Sequence, residues 1–168
     1  MTNRAEAIID LSAIKDNVAL LKSKAGVDLM AVVKADGYGH GLVPVAKAAL
    51  SAGATWLGVA LLEEAISLRE AGITAPILAW LVPPGSDFKA AVASEIDVAV
   101  PSLAILREIS AVTGAKRPRI HLEVDTGMTR GGFLNEWSEI DGQHLESVEV
   151  VGVFSHLPAQ MSPVRRKI

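Results

Sequence analysis

The residues with the clearest potential for chemistry follow an apolar run near position 30. Residues 29–33 are all apolar, and Lys34 comes directly after them. The next few residues include three glycines, Tyr38 and His40. An amine backed by an apolar run is partly desolvated, which favours the neutral form that attacks aldehydes, and glycines allow a tight turn and close approach to a ligand. A lone lysine after a strand is usually an exposed loop residue, so the nucleophilic interpretation depends on the whole string.

Two further polar segments also follow apolar runs. One run leads through Glu123 into Asp125 and then Arg130, and the last run leads into His156. A guanidinium stays charged and offers a planar fork of donors to a carboxylate or an oxyanion. Glu123 could hold Arg130 in place by charge-assisted hydrogen bonds, or it could point to solvent. The plainer alternatives are a surface pair between Arg130 and one of the two acidic residues, and a His156 that only packs.

The elements that must position these residues are predicted by the apolar pattern. Short apolar runs alternate with amphipathic stretches, which predicts six strands near residues 30, 57, 79, 99, 121 and 151, after an opening strand at 7–11. Helices are predicted from an N-cap at Ser12 to Gly26, at 42–51, 62–70 and 87–93, and from an N-cap at Ser102 to about 112, with 135–142 a helix or a loop. Parallel α/β folds place their sites at the carboxyl ends of strands, where all three polar segments lie.

The alternation of strands and helices predicts an α/β fold with a parallel sheet. It leaves two architectures open. One is an open doubly wound sheet, and the other is part of a (β/α)8 barrel, which needs about 250 residues when complete. With 168 residues the chain is long enough for one sizeable core but too short to close such a barrel.

Composition excludes several classes of function. Half of the residues are hydrophobic and 21% are charged, which excludes intrinsic disorder. The net charge of −3 gives no reason to expect nucleic-acid binding, and the absence of cysteine excludes disulfides and thiolate metal sites. No metal site is predicted. No apolar stretch is long enough for a membrane span or a signal peptide, so a soluble cytoplasmic protein that binds a small molecule is expected.

The string from Val32 to Gly41 resembles the pyridoxal-phosphate attachment signature of alanine racemases. The resemblance implies that Lys34 forms the covalent aldimine with pyridoxal 5′-phosphate and acts as the base on one face of the substrate. It also implies that Tyr38 hydrogen-bonds the cofactor phosphate. His40 receives no role beyond packing of the loop.

The later segments are similar to two further motifs of the same family. Arg130 matches the arginine that approaches the phenolic oxygen of the cofactor and the substrate carboxylate. Glu123 stands where many members carry a carbamylated lysine, so it is expected to support Arg130. His156 matches the histidine that lies against the pyridine ring. The resemblance favours the barrel, with about six of its eight strands, over the doubly wound sheet.

Residues 1–157 are expected to be the N-terminal part of a racemase barrel, and residues 158–168 a divergent tail from truncation or a frameshift. The C-terminal β-domain of the family is then absent. Intact members are homodimers in which the partner supplies a tyrosine as second base, whereas Tyr38 is the only tyrosine of this sequence. Exposed strand edges near 31–33 and 150–152 and poor solubility are also expected, together with partly uncovered helix faces at Leu62, Ile66, Ile105 and Ile109.

The function implied is interconversion of L-alanine and D-alanine for peptidoglycan precursors, with this chain an inactive fragment. Two alternatives stay open at this point. One is a pyridoxal-phosphate-binding homeostasis module without turnover. The other is a racemase for serine, lysine or ornithine.

Overall fold

The computed structural model describes residues 5–140 and 142–157. These residues form an α/β fold in which helices alternate with six parallel strands. The chain divides into two compact units, residues 1–98 and 99–168, and the boundary falls within the fourth strand. The tail predicted at 158–168 lies outside the described residues.

The first unit carries four strands in chain order, each joined to the next by one or two helices. Parallel pairing runs from β1 to β2 to β3 to β4, with Ala31 opposite Leu57 and Leu57 opposite Ile77. Its elements are α1 (Leu11–Ala25), β1 (Met30–Val32), α2 (Lys34–Gly39), α3 (Leu42–Ser51), β2 (Trp56–Val59), α4 (Leu62–Glu70), β3 (Ile77–Ala79), α5 (Phe88–Ala93) and the beginning of β4 (Asp97–Val100).

Part of the core of this unit lies on one face of its two central strands. Leu57, Val59, Ile77 and Ala79 alternate along β2 and β3 and are fully buried. Between them, Gly58 faces the other way, where an added Cβ would lie 2.5 Å from the ring of Trp80. A glycine is therefore required where this ring crosses the strand.

The start of the described chain differs from the prediction, because the first helix has another N-cap and no strand precedes it. Residues 7–10 form no strand, and the N-cap is Asp10 instead of Ser12. The Asp10 carboxylate accepts the backbone N–H groups of Ser12 at 2.9 Å and Ala13 at 3.3 Å. The Ser12 hydroxyl and these two N–H groups hold the pKa of Asp10 below its usual value. Because the carboxylate already satisfies these helix N–H groups, the helix begins before Ser12 can cap it. The end at Gly26 is as predicted.

The second unit contains the last two strands, which pair in parallel. Ser102 caps its first helix by accepting the N–H of Ile105 at 3.5 Å, as the sequence predicted. The elements after β4 are α6 (Leu103–Ser110), β5 (Arg119–Glu123), a 3-10 helix (Glu136–Glu139), α7 (Gly142–Glu146) and β6 (Glu149–Phe154). The short helix α7 was not predicted as a separate element.

The exposure of apolar residues agrees with the sequence analysis only in part. Val32 and Val150, on the outer strands of their units, are 42% and 41% exposed. The prediction of partly uncovered helix faces agrees with the half-buried Ile66 but is wrong for Leu62, Ile105 and Ile109, which are 6%, 2% and 0% exposed. Among the described residues, no helix is long and apolar enough to cross a membrane.

Candidate functional site

Lys34 lies immediately beyond β1. The residue before it, Val33, is 1% exposed and donates its backbone N–H to the carbonyl oxygen of Gly58 in β2 at 2.8 Å. This bond continues the pairing of β1 with β2 by one residue, so it fixes the backbone from which Lys34 projects. Lys34 itself is half-buried. Its amine therefore lies at the carboxyl end of a strand, the place where parallel α/β folds hold their reactive groups.

The backbone of α2 is a left-handed helical turn, which we call the Lys34 turn (residues 34–39). Ala35, Asp36 and Tyr38 have φ angles of 52°, 54° and 56°, and Gly37 has 61°. A residue with a side chain loses about 1–2 kcal/mol in this conformation. Three residues with side chains and one glycine adopt this conformation in a row, so the backbone of the turn is strained. A strained backbone persists only where the surrounding structure holds it.

Gly37 closes the Lys34 turn at its buried side. Its N–H donates to the carbonyl oxygen of Val33 at 2.9 Å. A Cβ added at Gly37 would lie 3.0 Å from Cγ2 of Val45 in α3. Only a residue without a side chain lets the turn pack this closely against α3.

The left-handed turn brings Tyr38 beside Lys34. The Nζ atom of Lys34 lies 5.9 Å from the centroid of the Tyr38 ring, within the range of a cation–π contact. Tyr38 is 58% exposed, so its hydroxyl is accessible to a ligand. These two predicted site residues are therefore placed together by the local backbone.

One side chain of the Lys34 turn connects it to α3, and a second side chain, just after the turn, contacts the turn itself. The Asp36 carboxylate accepts the N–H of Leu42, the first residue of α3, at 2.7 Å. Nδ1 of His40 lies 3.0 Å from the carbonyl oxygen of Gly37. The His40 contact is consistent with the packing role expected from the sequence, and Asp36 adds a cap for α3.

A carboxylate from another helix, Glu64 of α4, also reaches the Lys34 turn. It accepts the N–H of Ala35 at 2.6 Å, although 29 positions separate the two residues. Sequence reasoning missed Glu64. The available signal was its place three residues after the N-cap of α4, where a glutamate commonly reaches back to backbone N–H groups.

In the second unit, β5 is followed by the segment that we call the Arg130 loop (residues 124–132). Phe133, which is fully buried, closes this loop. Its N–H donates to the carbonyl oxygen of Glu123 at 2.7 Å, and its own carbonyl oxygen accepts the N–H of Asp125 at 3.1 Å. The loop therefore begins and ends at one short backbone ladder.

The interior of the Arg130 loop is ordered by Asp125. Its carboxylate accepts the N–H groups of Gly127 at 2.8 Å and Thr129 at 3.0 Å. These backbone hydrogen bonds, with Thr129 the largest contributor, hold the pKa of Asp125 below its usual value. The hydroxyl groups of Thr126 and Ser155 are hydrogen-bonded at 2.5 Å, which ties the loop to the segment after β6.

Glu123 lies at the base of the Arg130 loop and is half-buried. Burial raises the pKa of Glu123, whereas the positive charges of Arg130 and His156 oppose that rise, and Asp125 adds to it. A Cβ atom added at Gly131 would lie 3.8 Å from Oε2 of Glu123. The Glu123 carboxylate therefore faces the Arg130 loop and interacts electrostatically with Arg130 and His156.

The predicted site residues therefore form two groups, each within its own unit. Lys34 and Tyr38 lie together after β1, and Glu123, Arg130 and His156 interact electrostatically after β5 and β6. Arg130 and His156 are both exposed. The described residues contain no cluster of potential metal ligands.

Comparison with known proteins gives one consistent result. The family model described as "Alanine racemase, N-terminal domain" matches residues 9–167. The alanine racemase of Salinispora tropica is 52% identical over 161 residues, which cover 91% of this chain and 43% of that protein. The alanine racemase of Thermobifida fusca is 49% identical over 172 residues, or 97% of this chain and 46% of that protein.

Solved structures agree with the sequence relatives. The crystal structure of the alanine racemase of Streptomyces lavendulae superposes with a TM-score of 0.87 at 41% identity, covering 94% of this chain and 44% of that one. The corresponding enzyme of Corynebacterium glutamicum gives a TM-score of 0.82 at 40% identity. The chain therefore spans less than half the length of the relatives it matches, and the predicted partial barrel is confirmed over the doubly wound sheet.

Proposed function

Because the chain belongs to the alanine racemase family through its N-terminal domain, we propose that it binds pyridoxal 5′-phosphate through Lys34 and acts in the interconversion of L-alanine and D-alanine. The observation that carries the proposal is the position of Lys34. Lys34 is half-buried at the carboxyl end of β1, and its amine lies beside the Tyr38 ring. The left-handed backbone that follows Lys34 is held by the hydrogen bond from Ala35 to Glu64.

The donor set of the chain fits this cofactor. An aldehyde requires a primary amine, which Lys34 provides. A phosphate requires hydrogen-bond donors, and the exposed Tyr38 hydroxyl is one. The phenolic oxygen of the cofactor and the carboxylate of the amino acid both require a cation that donates hydrogen bonds. The planar, charged guanidinium of Arg130 is suited to either. Each of these groups follows a strand in its own unit.

In the reaction, pyridoxal phosphate supplies an electron sink that makes the Cα proton of the bound amino acid acidic. Nζ of Lys34 takes up that proton from one face and returns a proton to the same face. Arg130 binds the substrate carboxylate, and Glu123 orients Arg130. Tyr38 would donate a hydrogen bond to the cofactor phosphate, and His156 would help to hold the cofactor ring.

Racemisation needs a second proton donor on the opposite face of Cα. Lys34 serves one face, and Tyr38, the only tyrosine of the sequence, is assigned to the phosphate. We therefore expect the 168-residue chain to exchange the Cα hydrogen of one alanine enantiomer with retention of configuration. Inversion of configuration should be slower by about 10²-fold or more.

The experiment that tests this proposal follows deuterium. The chain is incubated with pyridoxal phosphate and either L-alanine or D-alanine in D₂O, and Cα deuteration is read by NMR and configuration by chiral chromatography. Deuterium should enter one enantiomer, and Lys34→Arg should abolish its entry. The matched control is Lys47→Arg, an exposed lysine of α3, which should leave exchange unchanged. Absence of exchange in both enantiomers, or exchange that survives Lys34→Arg, would contradict the proposal.

The resemblance to racemases also supports assembly and location. We infer a homodimer in the intact protein, which sedimentation of the longest expressed form would test. A cytoplasmic location stays a prediction from the sequence, and fractionation of the source cells would decide it.

A further inference from the structure

Glu64 uses its two carboxylate oxygens for two different tasks. Oε2 accepts the N–H groups of Ala60 at 2.9 Å and Leu61 at 3.0 Å, which caps the start of α4. Oε1 accepts the N–H of Ala35 at 2.6 Å. The first task satisfies the ordinary need of a helix N-terminus for an acceptor. The second is separate from it, because Ala35 belongs to the Lys34 turn.

The bond to Ala35 controls the backbone of Lys34 directly. The N–H of Ala35 belongs to the peptide group that also contains the carbonyl of Lys34. Holding that N–H fixes the plane of this peptide group and therefore the ψ angle of Lys34. Ala35 is also the first of the left-handed residues, with φ of 52°. A hydrogen bond from a backbone N–H to a charged carboxylate is roughly twice as strong as one to a neutral acceptor.

We propose that Glu64 is a positioning residue for Lys34. It holds the strained Lys34 turn in its left-handed form, so that the Lys34 amine is presented to the aldehyde of the cofactor. This inference rests on the proposed function, since it assigns Glu64 a role in the reactivity of the same lysine. Among the described residues, the hydrogen bonds of Glu64 all go to backbone N–H groups, so its effect would reach the cofactor through Lys34.

Glu64→Gln separates the two tasks. A glutamine offers one acceptor oxygen in place of two. Its oxygen is expected to face Ala60 and Leu61, where it satisfies two donors. The NH₂ group then faces the N–H of Ala35, and two donors cannot bond each other. The substitution should therefore release the Lys34 turn while it leaves the cap of α4 in place.

The experiment compares the wild-type chain with Glu64→Gln and with Glu63→Gln as matched control. Glu63 is the exposed neighbour of Glu64 in α4. Amide hydrogen exchange by NMR reads the protection of Ala35 and Leu61. The rate of pyridoxal-phosphate attachment is read by borohydride trapping at intervals, followed by mass analysis of the Lys34 peptide. Glu64→Ala, which removes both oxygens, is the second variant.

We expect Glu64→Gln to lose protection at Ala35, to retain it at Leu61 and to attach cofactor at Lys34 about tenfold more slowly. Glu63→Gln should behave as wild type. A variant that loses protection at Ala35 but attaches cofactor at the wild-type rate would overturn the positioning role. Absence of attachment in the wild type would overturn the proposed function and with it this role, whereas the exchange data would still report the Ala35 bond.

Discussion

The Lys34 turn and the Arg130 loop both follow the carboxyl end of a strand, but they are held in different ways. The Lys34 turn is short, has a left-handed backbone and depends on a carboxylate from another helix, Glu64. The Arg130 loop is longer and is held mainly from within, by Asp125 and by the ladder at Phe133, and one hydroxyl pair also ties it to the segment after β6.

This difference determines where each segment is sensitive to substitution. A loop that is held mainly by its own contacts is disrupted chiefly by changes within it, because most of those contacts are local. A strained turn held from a distance is also disrupted by a change in a separate element. The predictions below test this contrast, beginning with the largest expected effect.

Gly132→Ala should be the most damaging substitution in the Arg130 loop. Its φ angle is +101°, and an added Cβ would lie 2.6 Å from the backbone nitrogen of Asp125. Positive φ and a clash with backbone together should lower the free energy of unfolding by about 3–5 kcal/mol. Urea unfolding followed by circular dichroism measures it.

The control for Gly132 is Gly127→Ala in the same loop. Gly127 has φ of +121°, but nothing lies within 4 Å of its added Cβ. Only backbone strain is then introduced, so a loss of about 1–2 kcal/mol is expected. Equal losses for the two variants would show that closure at Phe133 does not require the close approach at Gly132.

Gly37→Ala tests the packing of the Lys34 turn. The backbone is already left-handed there, and the new methyl group would press on Val45. A loss of about 2–3 kcal/mol is expected from strain and overpacking together. Adding Val45→Ala should recover part of the loss, because it provides room, and the coupling is measured by a double-mutant cycle. Strict additivity of the two substitutions would contradict the contact.

The two acidic residues of the Arg130 loop region should respond to pH in opposite directions. The pKa of Asp125 is lowered in the folded state, so its contribution to stability is present above its unfolded pKa and is lost as pH falls through the folded value. The pKa of Glu123 is raised, chiefly by burial, so stability falls as pH rises from the ordinary value of 4.5 through the raised one.

Unfolding of Asp125→Asn and Glu123→Gln across pH 3 to 7 measures this contrast. Relative to wild type, Asp125→Asn should become less stable as pH rises, and Glu123→Gln should become more stable. The same slope for both variants would contradict the different environments assigned to the two carboxylates.

Asp36→Asn should have the smallest effect. Asp36 makes one side-chain bond, to the N–H of Leu42, and an asparagine oxygen can accept it. Asparagine also tolerates the left-handed backbone well. The loss in the free energy of unfolding should stay below about 1 kcal/mol, and thermal unfolding measures it. A much larger loss would mean that the charge of Asp36, and not only its oxygen, holds the turn.

Much of this architecture could be predicted from the sequence. The helices at Leu42–Ser51 and Leu62–Glu70 have the predicted bounds, because apolar periodicity and a following glycine are strong local signals. The six strands are confirmed near their predicted positions, but their ends could not be predicted, since an apolar run does not reveal where pairing stops.

The details of the site could not be predicted in the same way. The left-handed conformation of Ala35 and Tyr38 opposes their intrinsic preference, so no local signal indicates it. Glu64 acts on a residue 29 positions away, a contact that only the folded chain creates. The closure of the Arg130 loop by a buried Phe133 depends likewise on packing after β5.

The most direct test of the central claim is the site of pyridoxal-phosphate attachment. The wild-type chain is incubated with the cofactor, reduced with borohydride, digested and mapped by mass spectrometry, with Lys34→Arg in parallel. The label should be found on Lys34 and should vanish in Lys34→Arg. Label spread over Lys22, Lys47 and other lysines, or equal label in Lys34→Arg, would contradict the assignment of Lys34 as the cofactor lysine.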